Sequence, residues 1–234
     1  MRWILLTLVV GMTSCSFDST KYRAHPENPY TRIQKVIVLP FINMTRSPNI
    51  DLDTFSDNFA SELIKFPGFD VIRPVLVQAS LVEGEVIRTV DDAVKVGRRM
   101  QADGIIAVAV TDHDSYDPPR TALQVQFLRT RAQRMSAGKI DEMIQSASWR
   151  IGPYQMSPGR AGYLVDAFQR MWDAHSKNVR DEVKLYSESM EDRDTAYRDE
   201  NEFLAVQDRW MQFVSNQAIN LLIERAIRYG FFQN

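Results

Sequence analysis

A mixed α/β sheet flanked by helices, followed by a mainly helical C-terminal extension, is the fold class that the sequence predicts. Three observations predict it. Residues 35–43 and 105–110 hold continuous β-branched apolar runs, as strands buried on both faces do. Between them Phe55, Phe59, Leu63 and Phe66 recur at helical spacing. Beyond residue 130 the apolar residues return mostly at helical intervals.

The first strand runs from Lys35 through Val36, Ile37, Val38 and Leu39, with Pro40 near its end. Residues 43–49 are polar and carry Pro48, so they form a loop. Asp51 or Asp53 can cap the helix that follows, and Pro67-Gly68 stops it. Residues 69–73 make a short second strand. Pro74 opens a short helical stretch with Val75, Leu76, Ala79 and Leu81. Thr89-Val90-Asp91-Asp92 starts the next helix, its carboxylates near the positive end of the dipole. Ala93, Val96, Gly97 and Met100 form its inner face. Ala102-Asp103-Gly104 turns into the buried strand 105–110. Leu123, Val125 and Phe127 then alternate with Gln124 and Gln126, which predicts a half-exposed strand. Residues 33–130 are thus expected to form one α/β domain.

Residues 131–234 are expected to be a helical extension packing on the sheet. Met135, Ile140, Met143 and Ile144 predict a helix over 131–146. Residues 149–162 are rich in Gly and Pro and read as a loop. Leu164, Val165, Phe168, Met171 and Trp172 predict a helix over 161–175. Val179, Val183 and Tyr186 predict another over 178–190. The charged run 191–199 reads as a solvated loop. Phe203, Val206, Trp210, Phe213, Val214, Gln217 and Leu221 predict a long amphipathic C-terminal helix. Its apolar stripe is either core or a groove for a partner helix.

Bulk properties narrow the function. The 234 residues are 44% hydrophobic and 25% charged, ordinary globular usage. A formal net charge of -2 gives no electrostatic case for nucleic-acid binding. A single cysteine allows no internal disulfide.

That cysteine sits in a particular place. Arg2 is a short positive region, residues 3–10 are almost wholly apolar, and Gly11-Met12-Thr13-Ser14 brings small residues up to Cys15. This is the order of an export signal. The apolar run is about half the roughly 20 residues that a bilayer-spanning helix needs. Met12-Thr13-Ser14-Cys15 resembles a lipobox, with Met12 where Leu is usual. The resemblance implies cleavage after residue 14, a diacylglyceryl group on the Cys15 sulfur and a further acyl chain on the new N-terminus. The alternatives are a plain secretory signal with an incidental Cys, or a buried N-terminal strand. Ser16 after the cysteine, by resemblance to enterobacterial sorting, favours the outer membrane. Residues 15–32 are polar, hold Pro26 and Pro29, and read as a tether.

Val36-Ile37-Val38-Leu39-Pro40-Phe41-Ile42-Asn43, Phe69-Asp70-Val71-Ile72-Arg73, the stretch from Gly97 through Ala102-Asp103-Gly104-Ile105, and Tyr116-Asp117-Pro118-Pro119-Arg120 before a last strand form an ensemble. It resembles a broad envelope superfamily that includes the curli-secretion channel lipoprotein, the penicillin-binding-protein activator LpoB and the TolB N-terminal domain. The resemblance covers about residues 33–130. It implies an α/β fold and action through binding other envelope proteins; the sequence carries no cofactor motif, so no cofactor is expected.

Chemistry-bearing constellations are few. Asp112, His113, Asp114 and Asp117 have metal-ligand character and follow a buried strand. Neighbouring strand residues point to opposite faces, so a solvated polar loop is the competing reading. Tyr116-Asp117-Pro118-Pro119-Arg120 is a stiff connector, and Tyr116 and Arg120 are residue types enriched at binding hot spots. Tyr116, Asp117 and Arg120 are therefore the candidate partner-binding residues. No phosphate-binding loop, nucleophile elbow or zinc-protease motif is present. The expectation is a non-enzymatic lipoprotein, held to the outer membrane by lipid on Cys15 and facing the periplasm, that binds other envelope proteins. The alternatives are a subunit of an export channel, which requires a homo-oligomer, and a metal-dependent enzyme.

Overall fold

The computed structural model describes residues 25–47, 50–136, 138, 141, 151–190 and 200–229. The export signal, Cys15, most of the tether and the charged run 191–199 lie outside the described residues. Residues 131–136 are not helical, and most of the remainder of the helix expected over 131–146 also lies outside them.

Strand β1 (Lys35–Val38) stops where Pro40 has no N–H to give, and the short β2 (Ile42–Asn43) resumes its line. Both pair in parallel with β4 (Gly104–Asp114), Val38 beside Ile106 and Ile42 beside Ala109. Between them lies α1 (Leu52–Ile64), capped by the Asp51 carboxylate, which accepts from Thr54 N–H at 2.9 Å. Gly68 takes a φ of +89° in the turn that follows, a left-handed conformation that glycine tolerates at no steric cost. β3 (Asp70–Ile72) pairs in parallel with β1 at one edge of the sheet. α2 (Pro74–Ser80) and α3 (Val90–Arg99) follow, the latter opened by a capping box between Thr89 and Asp92.

β4 turns into the antiparallel β5 (Arg120–Arg129), and β5 pairs antiparallel with β6 (Leu164–Asp173). The order across the sheet is β3-β1-β4-β5-β6, with β2 alongside β4. The chain ends in α4 (Lys177–Ser189), α5 (Glu200–Ala205) and α6 (Gln207–Tyr229). The α/β class and the helical C-terminal region agree with the sequence. The helix expected over 161–175 does not: residues 158–163 form a 3-10 turn and 164–173 are β6, the far edge of the sheet.

Each face of the sheet carries its own core. On one, α1, α4, α5 and α6 bury Phe55, Phe59, Trp210, Phe213 and Ile219 against Val36, Val38, Ile106, Val125 and Trp172. On the other, α2, α3 and the segment around Tyr154 and Met156 cover Ile37, Ile105, Ala107 and Leu128. Gly104 permits a close approach: a Cβ there would sit 2.6 Å from Ile33 Cγ2 and 2.8 Å from the Phe127 ring. No helix among the described residues is long and apolar enough to cross a membrane.

Candidate functional site

The β4–β5 hairpin is the element that the sequence singled out, and strand pairing decides what its side chains can do. A bulge between Val110 and Asp112 resets the register, so that Asp112 faces Ala122, His113 faces Thr121 and Asp114 faces Arg120. Asp112 and Arg120 therefore share one face of the hairpin, and His113 and Thr121 share the other.

On the first face Arg120 Nε lies 2.9 Å from Asp112 Oδ2, with both side chains about 40% exposed. This ion pair braces the hairpin diagonally and is partly screened by solvent. On the second face, His113 Nδ1 lies 3.0 Å from the Thr121 hydroxyl, which is fully buried. The same hydroxyl accepts a 2.8 Å bond from the Trp210 indole N–H. Gln207 Nε2 approaches His113 Nε2 at 3.3 Å. The start of α6 thus clamps the imidazole against the hairpin. Asp112, His113 and Asp117 do not converge, and no cluster of three metal-ligating side chains occurs among the described residues.

Burial pushes the His113 imidazole below its ordinary pKa, and the Asp114 and Asp112 carboxylates oppose that shift only in part. The sign of the pH effect follows. The unfolded chain takes up the proton more readily, so the neutral ring's contribution is complete above about pH 6.5 and is lost as pH falls through the lower folded value. Wild-type protein is expected to lose melting temperature more steeply between pH 7 and pH 5 than His113→Gln does. Parallel curves in a thermal melt series would contradict this assignment. His25, also lowered by burial, is common to both proteins and cancels in the comparison.

The tip beyond this brace is exposed. Tyr116 is 83% accessible, and its N–H donates to Asp114 Oδ1 at 3.1 Å. The Asp117–Pro118 bond is cis. Of the three candidate partner-binding residues, Tyr116 and Asp117 are free at the surface, whereas Arg120 is drawn back onto Asp112.

Beside the hairpin base is a polar cleft of about 360 Å³, lined by Met44, Thr45, Arg46, Ser47, Thr111, Asp112 and His113. It sits at the C-terminal ends of β2 and β4, where open α/β sheets usually place their ligands. Its outer wall was not foreseen from the sequence. Asn43 Oδ1 accepts from Thr45 N–H at 2.8 Å and Asn43 Nδ2 donates to Ser47 O at 2.9 Å, folding the loop onto itself. The Asn43-Met44-Thr45 step carried that signal, a side-chain turn two residues long. A second hollow of about 500 Å³ lies between α1 and α2, where Arg73 pairs with Asp57 at 3.1 Å.

No family model matches the chain, and no curated protein matches it. Solved structures do. The chain is similar to lipoprotein GNA1162 from Neisseria meningitidis, at 12% identity over 58% of this chain and 78% of that one, with a TM-score of 0.35. It is similar to the hypothetical protein CT253 from Chlamydia trachomatis, at 11% identity over 82% and 96%, with a TM-score of 0.41. It is also similar to the LpoB C-terminal domain from Salmonella enterica, at 11% identity over 62% and 86%, with a TM-score of 0.40. A lipoprotein and the LpoB domain, the kinds of protein that the segments within residues 33–130 resemble, are thus among its structural neighbours.

Proposed function

We propose that this chain is a bacterial cell-envelope lipoprotein, anchored through Cys15 in the outer membrane and facing the periplasm, that binds another envelope protein as a non-enzymatic assembly, regulatory or scaffold component. The observation that carries the reading is the position of Cys15: the sole cysteine stands directly after an apolar run and small residues. Two features support the binding role. The braced hairpin presents Tyr116 outward on a fixed support, and rigid exposed aromatics are good anchors for a partner. The polar cleft at the base of the same hairpin, lined by Arg46 and Asp112 among others, adds charged groups for a partner to contact.

The anchor is tested by mass. Three acyl chains at about 0.8 kcal/mol per buried methylene hold a protein in the bilayer far beyond the one-chain threshold. Protein extracted from membranes is expected to begin at Cys15 and to carry that added mass. Cys15→Ala is expected to lower the membrane-bound fraction by about a hundredfold or more. An unmodified chain of full length would overturn the assignment. The partner is tested by a photoreactive side chain at position 116 in native envelopes. A discrete adduct with an envelope protein supports binding, and the lack of any adduct counts against it.

A further inference from the structure

The outer edge of the sheet is unevenly protected. The Ile106 carbonyl accepts from Leu39 N–H at 2.9 Å, so Ile106 turns its backbone toward β1, and Ala107 and Ala109 turn theirs toward β5. Carried across the register, Phe168, Arg170 and Trp172 give their backbone groups to β5. Ala167, Gln169, Met171 and Asp173 turn theirs outward. Side chains close part of this edge. Ala167 N–H donates to Asp166 Oδ1 at 2.8 Å, and Arg225 Nη2 reaches Ala167 O at 3.4 Å. The Asp173 carbonyl accepts from Ser176 N–H at 2.9 Å. Between these two closures the N–H and C=O groups of Gln169 and Met171, and the Asp173 N–H, have no partner among the described residues.

An open stretch of this kind is a template for another strand. Its side chains suit a second copy of the chain. A twofold axis normal to the sheet can centre on Gln169, Arg170 or Met171. Centring on Gln169 would need the Ala167 groups that Asp166 and Arg225 already hold. Centring on Arg170 would set two guanidinium groups directly opposite each other, a like-charge pair. Centring on Met171 sets Arg170 opposite the other copy's Trp172, and Gln169 opposite its Asp173. This register needs none of the held Ala167 groups and sets no like charges opposite each other. Met171 is 53% exposed and meets its own copy at the axis. Leu185, 65% exposed, lies one turn along α4 from Glu182, the residue that pairs with Arg170.

We propose that two copies of the chain join β6 to β6 in antiparallel fashion, centred on Met171, to make one continuous sheet. The Met171 pair exchanges two hydrogen bonds, and each Asp173 N–H donates to the other copy's Gln169 carbonyl. This goes beyond the lipoprotein reading and does not depend on it.

Sedimentation of the full chain in mild detergent is expected to show a dimer. Met171→Pro removes an outward N–H and no bond to β5, so the fold should survive, as circular dichroism and a thermal melt can verify. The dimer is expected to weaken by about thirtyfold, the effect of two lost hydrogen bonds. Oxidation of Met171→Cys is expected to trap a covalent dimer, because a hydrogen-bonded antiparallel pair has Cα atoms about 5.5 Å apart, within disulfide reach. Wild type, with Cys15 as its sole cysteine, sets the background. Gln169→Cys, which faces position 173 and not itself, should stay at that background. A monomer at all concentrations, a dimer indifferent to Met171→Pro, or equal trapping at 169 and 171 would each overturn the proposal.

Discussion

Glu62→Ala is expected to destabilise the folded chain by about 3–5 kcal/mol, the usual effect of removing one partner from a buried charged network. Glu62 sits on the inner side of α1 and is fully buried. Its Oε1 accepts from Gln212 Nε2 at 2.9 Å and from Lys65, and its Oε2 accepts from Asn216 Nδ2 at 3.1 Å. One carboxylate therefore ties α1 to α6 at the heart of their contact. Alanine leaves both amides without this acceptor, the half-buried Gln212 and the buried Asn216. Asn216 is 3% exposed and cannot turn to solvent, whereas the Lys65 side chain is a third exposed and can. The loss thus falls on the Asn216 amide more than on the ion pair. Glu62→Gln keeps the shape and one strong acceptor, and is expected to lose only about 1–2 kcal/mol. Against a typical stability of about 5–15 kcal/mol, the alanine variant is close to unfolding at physiological temperature and the glutamine variant is not. Urea denaturation of both variants checks this. Equal losses would mean that α1 and α6 are held by packing alone. Burial and the Glu62 charge both push the ionisation of the nearby Tyr186 hydroxyl upward, so the phenol stays neutral beside this network.

The contacts that β6 makes with α4 and α6 explain where the sequence could be read and where it could not. Strands β1 and β4 were legible because both of their faces are buried and every residue from Val36 to Val38 is apolar. Helix α1 was legible because Phe55, Phe59 and Leu63 fall on one side and are all fully buried. In β6 the buried side carries Asp166, Phe168, Arg170 and Trp172, polar alternating with aromatic. Asp166 is satisfied by Arg225, 59 residues away, through two 2.8 Å bonds, and Arg170 by Glu182 at 3.2 Å. Two of four inward positions thus lack the apolar mark that defines a strand face. The bulge at Val165 adds a residue, and Leu164, Val165, Phe168, Met171 and Trp172 then imitate a helical period. Nothing local distinguishes that pattern from a helix. The distinction lies in partners supplied by α4 and α6.

The candidate site divides along the same line. That Asp112 and His113 point apart was legible from strand alternation alone. That Arg120 folds back on Asp112 was not, because the bulge at the end of β4 sets the diagonal on which they meet. The clamp on His113 was hidden for a further reason. Trp210 reads as a member of a helix stripe of which Gln207 is no part, and the polar atoms of both reach a strand about 90 residues earlier only once α6 has docked.

Trp210→Ala is expected to remove about 3–5 kcal/mol, the range for truncating a large buried aromatic. The ring is 1% exposed, lies 5.4 Å from the Phe213 ring, and fills the junction between α6 and the base of the β4–β5 hairpin. Trp210→Phe separates its two roles. Phenylalanine keeps most of the apolar contact and loses the indole N–H, so the buried Thr121 hydroxyl forfeits its donor at an expected cost of about 1–2 kcal/mol. The hydroxyl is then free to reorient away from His113, and the hairpin base loosens without global unfolding. Amide hydrogen exchange separates the outcomes. Trp210→Phe should speed exchange at residues 112–114 and 120–122 while the strand interior at 105–108 keeps its protection. Trp210→Ala should speed both, because it lowers the stability of the whole fold. Uniform acceleration in the phenylalanine variant would show that the hairpin and the core open together, and that the brace beneath Tyr116 has no stability of its own. Local acceleration would show that the exposed tip is mounted on a separately tunable support, set by one indole N–H and one hydroxyl.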